Sequence, residues 1–201
     1  MIRTSEVRWF FRSPPFPPAD FFDLQSSPPT RVDWYAFPCD ERSGVKVRQG
    51  KLETKLRLRE LGPIRYGEAS GRVEEWGKWS LAYPPNDAPQ AGQLSMAGWV
   101  PVEKTRYMRI FTIKEETISE ITDWQQNFPE AGVEFELTQL RVRQQQWWTV
   151  GFEAFAPAEP VEKLSLNLGK VVRHVFSGGD HDMSLFTIDN SSGYPGWLHY
   201  V

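Results

Sequence analysis

Charged side chains recur at every second residue along several stretches of this chain, a spacing that can build an anion site. From Leu52 to Arg59, Glu53, Lys55, Arg57 and Arg59 alternate with Leu52, Thr54, Leu56 and Leu58. Alternate residues of a β-strand point to one face, so such a stretch divides its charges from its apolar groups. Lys46 and Arg48 alternate with Val45 and Val47 in the same way, Lys104 and Arg106 share a face, and so do Glu134, Glu136 and Thr138. Arg31, Asp33 and Tyr35 oppose Val32, Trp34 and Ala36; Glu6 and Arg8 oppose Val7, Trp9 and Phe11. Basic groups on these faces (Arg8, Arg31, Lys46, Arg48, Lys55, Arg57, Arg59, Lys104, Arg106) outnumber acidic ones (Glu6, Asp33, Glu53, Glu134, Glu136, Glu153). Guanidinium forks and ammonium groups so gathered suit phosphate or carboxylate oxygens.

Other chemistries find less support. With one cysteine and three histidines there is no zinc-ligand spacing. Cys39 lies beside Asp40 and Glu41, and acidic neighbours disfavour a thiolate, so it reads as inert. His181, in GGDHDM, reads as a solvated turn residue. The serines of Ser95 to Gly98 and of Ser192-Gly193 lack the strand–turn–helix setting of a hydrolase nucleophile. The nine tryptophans read as core and lid packing rather than a stacking platform for bases.

The elements that must position the charges are mostly strands. Candidates are Glu6 to Phe11, Arg31 to Phe37, Val45 to Arg48, Leu52 to Glu60, Ser70 to Leu81 with an interruption near Gly77, Trp99 to Thr112, Gly132 to Arg143, and Trp147 to Ala156. Gln49-Gly50 predicts a hairpin turn; Arg42-Ser43-Gly44, Gly62-Pro63 and Pro84-Pro85-Asn86-Asp87 mark further turns. Ser13 to Pro29 holds six prolines and reads as an extended loop, with Phe16, Phe21 and Phe22 packing over a barrel end. A short helix is predicted near Ile118 to Gln126, capped by Thr117 or Ser119. A longer one runs from about Pro160 to Phe176, with Val161, Leu164, Leu168, Val171, Val172 and Val175 at helical spacing and Gly178-Gly179 ending it. SSGYPGWLHYV reads as a tail pinned by Tyr194 and Trp197.

The fold class that follows is mainly β (α+β): an antiparallel closed barrel of about eight strands with a few peripheral helices, one near the C-terminus. Eight strands enclose room for side chains or one small ligand. A lone strand of this composition would leave its charges in solvent. Seven or more such strands, with helices outside to bury the apolar face, turn the charged face into a lumen. The length, 201 residues, suits one domain over 1–201, and 40% hydrophobic and 14% aromatic content can build a core. The net charge of -3 argues against a nucleic-acid surface. MIRTSEVRWFF lacks a signal-peptide pattern and no apolar run approaches the ~20 residues of a membrane span. The expectation is a cytoplasmic protein without a membrane partner.

The order of these strands resembles the CYTH or triphosphate tunnel metalloenzyme superfamily, over roughly Glu6 to Phe176. SEVRWFF sits where the family keeps its acidic first strand. RVDWYAF and GVKVRQGKLETKLRL look like its Asp-bearing second strand and basic hairpin, VPVEKTRYMRIF is similar to a later Lys-x-Arg strand, and VEFELTQL and TVGFEAFA look like its acidic closing strands. The resemblance implies an eight-stranded tunnel that binds a tri- or polyphosphate compound and, in its enzymatic members, cleaves or makes phosphoryl bonds with a divalent cation. It implies phosphate contacts from Lys46, Arg48, Lys55, Arg57, Lys104 and Arg106, with Arg8 beside them. Metal ligands would be Glu6, Glu136 and Glu153, with Glu134 a lesser candidate, and oxygen donors of this kind suit Mg²⁺ or Mn²⁺. An active protein would be a divalent-metal-dependent phosphohydrolase. The chain departs from the pattern in two places, where Arg8 and Phe155 stand at family acid positions, and in a third, where Phe10 replaces a lysine. Two alternatives stay open beside hydrolysis: a tunnel that binds an anionic metabolite without cleaving it, and a structural barrel whose charges pair internally.

Overall fold

The computed structural model describes residues 1–22, 28–84, 86–178 and 182–201. His181, Gly179, Pro85 and part of the proline-rich segment, on which sequence expectations fall, lie outside the described residues. Nine strands form one antiparallel sheet: β1 (Ile2–Phe11), β2 (Thr30–Tyr35), β3 (Ser43–Arg48), β4 (Lys51–Tyr66), β5 (Ala69–Ala82), β6 (Val100–Lys114), β7 (Thr117–Ile121), β8 (Gly132–Val142) and β9 (Gln145–Phe155). Their order is β2-β3-β4-β5-β1-β9-β8-β6-β7, and β2 also pairs with β6 from Thr30↔Thr105 to Tyr35↔Val100. That second pairing closes eight strands into a barrel and leaves β7 outside, hung on β6. Three tight turns carry consecutive residues at positive φ, at Gln49-Gly50, Glu115-Glu116 and Arg143-Gln144. This geometry matches the twist of the flanking strands.

Apolar side chains on the outward face bury under α2 (Val161–Phe176), which turns Leu164, Leu168, Val171, Val172 and Val175 inward. Beneath it lie Trp9 of β1, Val150 and Phe152 of β9 and Phe135 of β8. Trp9 donates its indole N–H to the Ser70 carbonyl at 2.8 Å, and its ring fits because Gly71 carries no side chain there. Phe21 meets Phe135 edge-on at 5.5 Å, and Phe22 stacks on it at 5.1 Å. Phe16, Phe21 and Phe22 therefore cover the outer wall rather than a barrel end.

The structure corrects several local expectations. The predicted helix near Ile118 to Gln126 is instead strand β7 and a following turn. Glu115-Glu116 reverses the chain, and Ile118 and Ser119 pair with Ile113 and Thr112 of β6. A helix that was not expected, α1 (Ala91–Met96), precedes β6. β5 runs through Gly77 without a break, opposite Arg3 of β1 and Leu56 of β4. β4 continues past Gly62-Pro63, accommodated by register shifts at Arg57/Arg59 and Glu60/Gly62. The first shift turns Arg59 out of the lumen, where it pairs with Glu75 at 2.6 Å and with Glu162 of α2 at 2.9 Å.

The C-terminal stretch closes one end of the barrel. Helix α3 (Tyr194–Trp197) places Trp197 flat against Phe10, with centroids 4.8 Å apart, and sets Tyr194 edge-on to the same ring at 5.4 Å. Tyr35, Val100, Val102, Leu140, Val142, Trp147 and Leu198 complete this second core. Tyr194 and Trp197 do pin the tail, and they do so from within the barrel end. No helix among the described residues is long and apolar enough to cross a membrane.

Because α2 covers the wall that carries the inner charges, its packing sets the stability of the barrel. Leu168→Ala should destabilise by about 2–5 kcal/mol. Leu166→Ala on the exposed face, 54% accessible, should change stability by under ~0.5 kcal/mol. Urea unfolding of both variants measures the contrast.

Candidate functional site

The inward faces of the eight barrel strands enclose a cavity of about 350 Å³ whose floor is Tyr194 and Pro195. That volume is at the small end of ligand pockets. Arg8, Lys46, Arg48, Lys55, Lys104 and Arg106, six of the residues expected to bind phosphate, line it. Arg31 and Lys78 join them. Arg57 does not: it lines a separate cavity of about 470 Å³ beyond α3 and pairs with Glu74 at 2.6 Å. Gly193, in the lining of that second cavity, lies against Trp76, where a Cβ would come within 2.6 Å of the indole.

Strand register places the carboxylates. Glu6 stands opposite Glu74 on one side and Glu153 on the other, and Glu153 stands opposite Glu134. Directly opposed like charges destabilise a sheet, and burial adds several kcal/mol per ion unless each is compensated. Cations supply the compensation. Arg8 donates to Glu6 at 2.9 Å and pairs closely with Glu136. Lys55 pairs closely with Glu6 and lies 3.8 Å from Glu153, which pairs closely with Lys78. Arg106 reaches Glu136 at 3.4 Å and Glu134 at 3.8 Å. The Arg8 guanidinium lies over Gly151, where a Cβ would come within 2.6 Å of it. Arg8, where the resemblance would place an acid, is thus built into the wall.

A second network occupies the wall of β2, β3 and β6. Asp33, fully buried, has Lys104 at 3.2 Å, Arg31 at 3.3 Å and Lys46 at 3.4 Å. Lys46 also reaches Glu53 at 3.1 Å, and Glu53 accepts from Arg48 at 2.6 Å. Lys104 donates to the Tyr35 hydroxyl at 2.7 Å and sits 3.6 Å from the centre of the Tyr194 ring. Among the described residues no ion pair joins the two networks.

The metal ligands implied by the resemblance, Glu6, Glu136 and Glu153, all face the lumen, and each is held by lysine or arginine. Among the described residues no three His, Cys, Asp or Glu side chains gather into a set that could hold a metal ion. The donor set in this arrangement does not fit Mg²⁺ or Mn²⁺, which need several converging oxygens. Phe155, where the resemblance would place another acid, lies beyond Glu153 on β9 and stacks with Phe128 at 5.3 Å.

Sequence reading missed Lys78 because the break expected at Gly77 separated it from Glu74 and Trp76, with which its spacing matches. Arg31 was visible in its alternation with Val32, but nothing local shows that it shares one carboxylate with Lys46 and Lys104. Tyr194 belongs to a loop-like stretch without periodicity, and only the folded tail brings it to the floor. Cys39 behaves as expected, with burial and Asp40 pushing its pKa up.

No protein-family model matches the chain, and no curated protein matches it.

The electrostatics follow from these contacts. Burial works to raise the Glu6 pKa, yet Lys55, Arg8 and Lys78 outweigh it and hold Glu6 well below the usual carboxylate range. Asp33 is low because Lys104, Lys46 and Arg31 outweigh its burial. Glu136 goes against its burial to about 2 under Arg8 and Arg106. Burial pushes the Lys104 pKa well down; Lys46 and Arg31 push the same way against the pull of Asp33. Glu134 goes up to about 7, through burial first and then the facing Glu153.

Two opposite pH trends result. Glu6, Asp33 and Glu136 contribute stability above the usual carboxylate pKa that is lost as pH falls toward about 2. Glu134 holds a proton in the folded state that the unfolded chain releases, so its contribution falls as pH rises from the usual 4.5 to about 7. Glu134→Gln should flatten the decline in melting temperature over that window and leave the acid limb in place, as read by thermal melts from pH 2 to 8.

Proposed function

We propose that this protein is a divergent CYTH-like barrel that binds a phosphorylated small-molecule anion in its lumen without a resident metal. The observation that carries this reading is the cavity lining: eight basic side chains against five acidic ones, with every lumen carboxylate engaged by a cation. A cavity of that sign concentrates anions. Charge-assisted bonds from guanidinium and ammonium groups suit phosphoryl oxygens. The closed floor favours a ligand that enters by one mouth. The order in which acidic, Asp-bearing and basic strands follow one another supports the family assignment.

Divalent-metal-dependent phosphohydrolysis is a second reading, favoured by one observation. The register brings Glu6, Glu153 and Glu134 side by side on three adjacent strands. Catalysis there would require an incoming ligand to draw Lys55 and Lys78 off those carboxylates.

Calorimetric titration with tripolyphosphate separates the readings. Binding in EDTA, changed by less than about threefold on adding Mg²⁺, is the expected result. No binding in either condition would sink the anion-site reading. Phosphate release under Mg²⁺ or Mn²⁺ that is abolished by Glu136→Gln would establish hydrolysis instead.

A further inference from the structure

The positive excess in the lumen is not spread evenly. The wall built from β1, β5, β8 and β9, with Lys55 and Arg106 reaching in, balances Arg8, Lys55, Lys78 and Arg106 against Glu6, Glu134, Glu136 and Glu153. The wall of β2, β3 and β6 sets Arg31, Lys46, Arg48 and Lys104 against only Asp33 and Glu53. Asp33 lies behind its three cations with no exposed surface, whereas Arg31, Lys46 and Arg48 each keep a fifth to a quarter of their side chains open. The cavity is therefore offered positive charge with one counter-charge, Asp33, underneath and the other, Glu53, beside Lys46 and Arg48.

Resting on the reading of the lumen as an anion site, we infer that the ligand's anion is a single dianionic phosphoryl group, seated on Arg31, Lys46, Arg48 and Lys104. With all four cations charged, the wall carries two surplus positive charges, matching one phosphate dianion, whose approach favours the charged form of the buried Lys104. Arg31 and Arg48 can turn guanidinium N–H donors to its oxygens, and Lys46 contributes a point charge between them. Further phosphates in a chain would meet the opposite wall, where Lys55, Lys78, Arg8 and Arg106 are already spent on carboxylates. Each added negative charge would there face a carboxylate as readily as a cation. Affinity should thus saturate at the first phosphoryl group. This sets the protein apart from a triphosphate-selective tunnel and assigns Arg31 a binding role.

The test is calorimetry in EDTA at pH 7.5 with inorganic phosphate, pyrophosphate and tripolyphosphate. One site is expected, with affinity rising by less than tenfold from phosphate to tripolyphosphate. Arg31→Gln and, separately, Arg48→Gln should each weaken phosphate binding by on the order of tenfold to a hundredfold, as loss of a charge-assisted bond does. Lys78→Gln, on the balanced wall, should weaken it by less than either arginine variant does. Circular dichroism checks that each variant folds; if one does not, the other still decides. A tenfold or greater rise along the phosphate series overturns the single-phosphoryl seat. So does loss of binding in Lys78→Gln with both arginine variants intact. Either result leaves the anion lumen standing, whereas failure of the unsubstituted protein to bind any of the three probes removes both.

Discussion

Enclosing charge inside a closed barrel is the constraint on which this structure depends. A carboxylate taken out of water costs several kcal/mol unless a cation and hydrogen-bond donors compensate it. Here β2 pairs with β6 and shuts the sheet, so the inward residues of eight strands face one another across a lumen. The strand register must then bring opposite charges together. It does so by letting long side chains bridge between rows. Lys55 from β4 reaches Glu6 on β1 and Glu153 on β9, and Arg106 from β6 reaches Glu134 and Glu136 on β8. Arg8 becomes part of this compensation, laid over Gly151, and its presence is what turns an acid-rich wall into a neutral one.

Apolar packing holds the charged interior in place from two sides. Outside, α2 and the rings of Phe21 and Phe22 cover β8, β9 and β1. At the closed end, Tyr194 and Trp197 fill the space between Phe10, Tyr35 and Trp147 and give the cavity its floor. The floor also has an electrostatic part, because the Tyr194 ring faces the Lys104 ammonium and lies 4.9 Å from the Arg8 guanidinium. Packing and charge are joined at one residue.

The uneven sharing of counter-charge gives the lumen its direction. Three cations around Asp33 leave one wall positive, and four cations against four carboxylates leave the other balanced. The positive potential of the lumen is therefore concentrated on β2, β3 and β6. The carboxylates to which the resemblance gives a metal are engaged instead by ion pairs that the protein makes with itself.

Period-two alternation of charged and apolar residues was enough to establish the barrel class, the inward parity of Glu6, Lys46, Lys55, Lys104 and Glu136, and the covering helix. These depend only on the two-residue repeat of a strand and the 3.6-residue repeat of a helix. Local signals misled where a turn lacked turn residues, as at Glu115-Glu116, or where a bulge reversed parity, as between Arg57 and Arg59. Which charges meet was decided only by tertiary structure, because partners such as Arg8 and Glu136 lie 128 residues apart and are joined by sheet closure and register. The same holds for the floor: SSGYPGWLHYV has no periodic face, and only the ring-lined barrel end selects its position. The sequence by itself determined that charges would face inward; the fold decided that most of them would face one another.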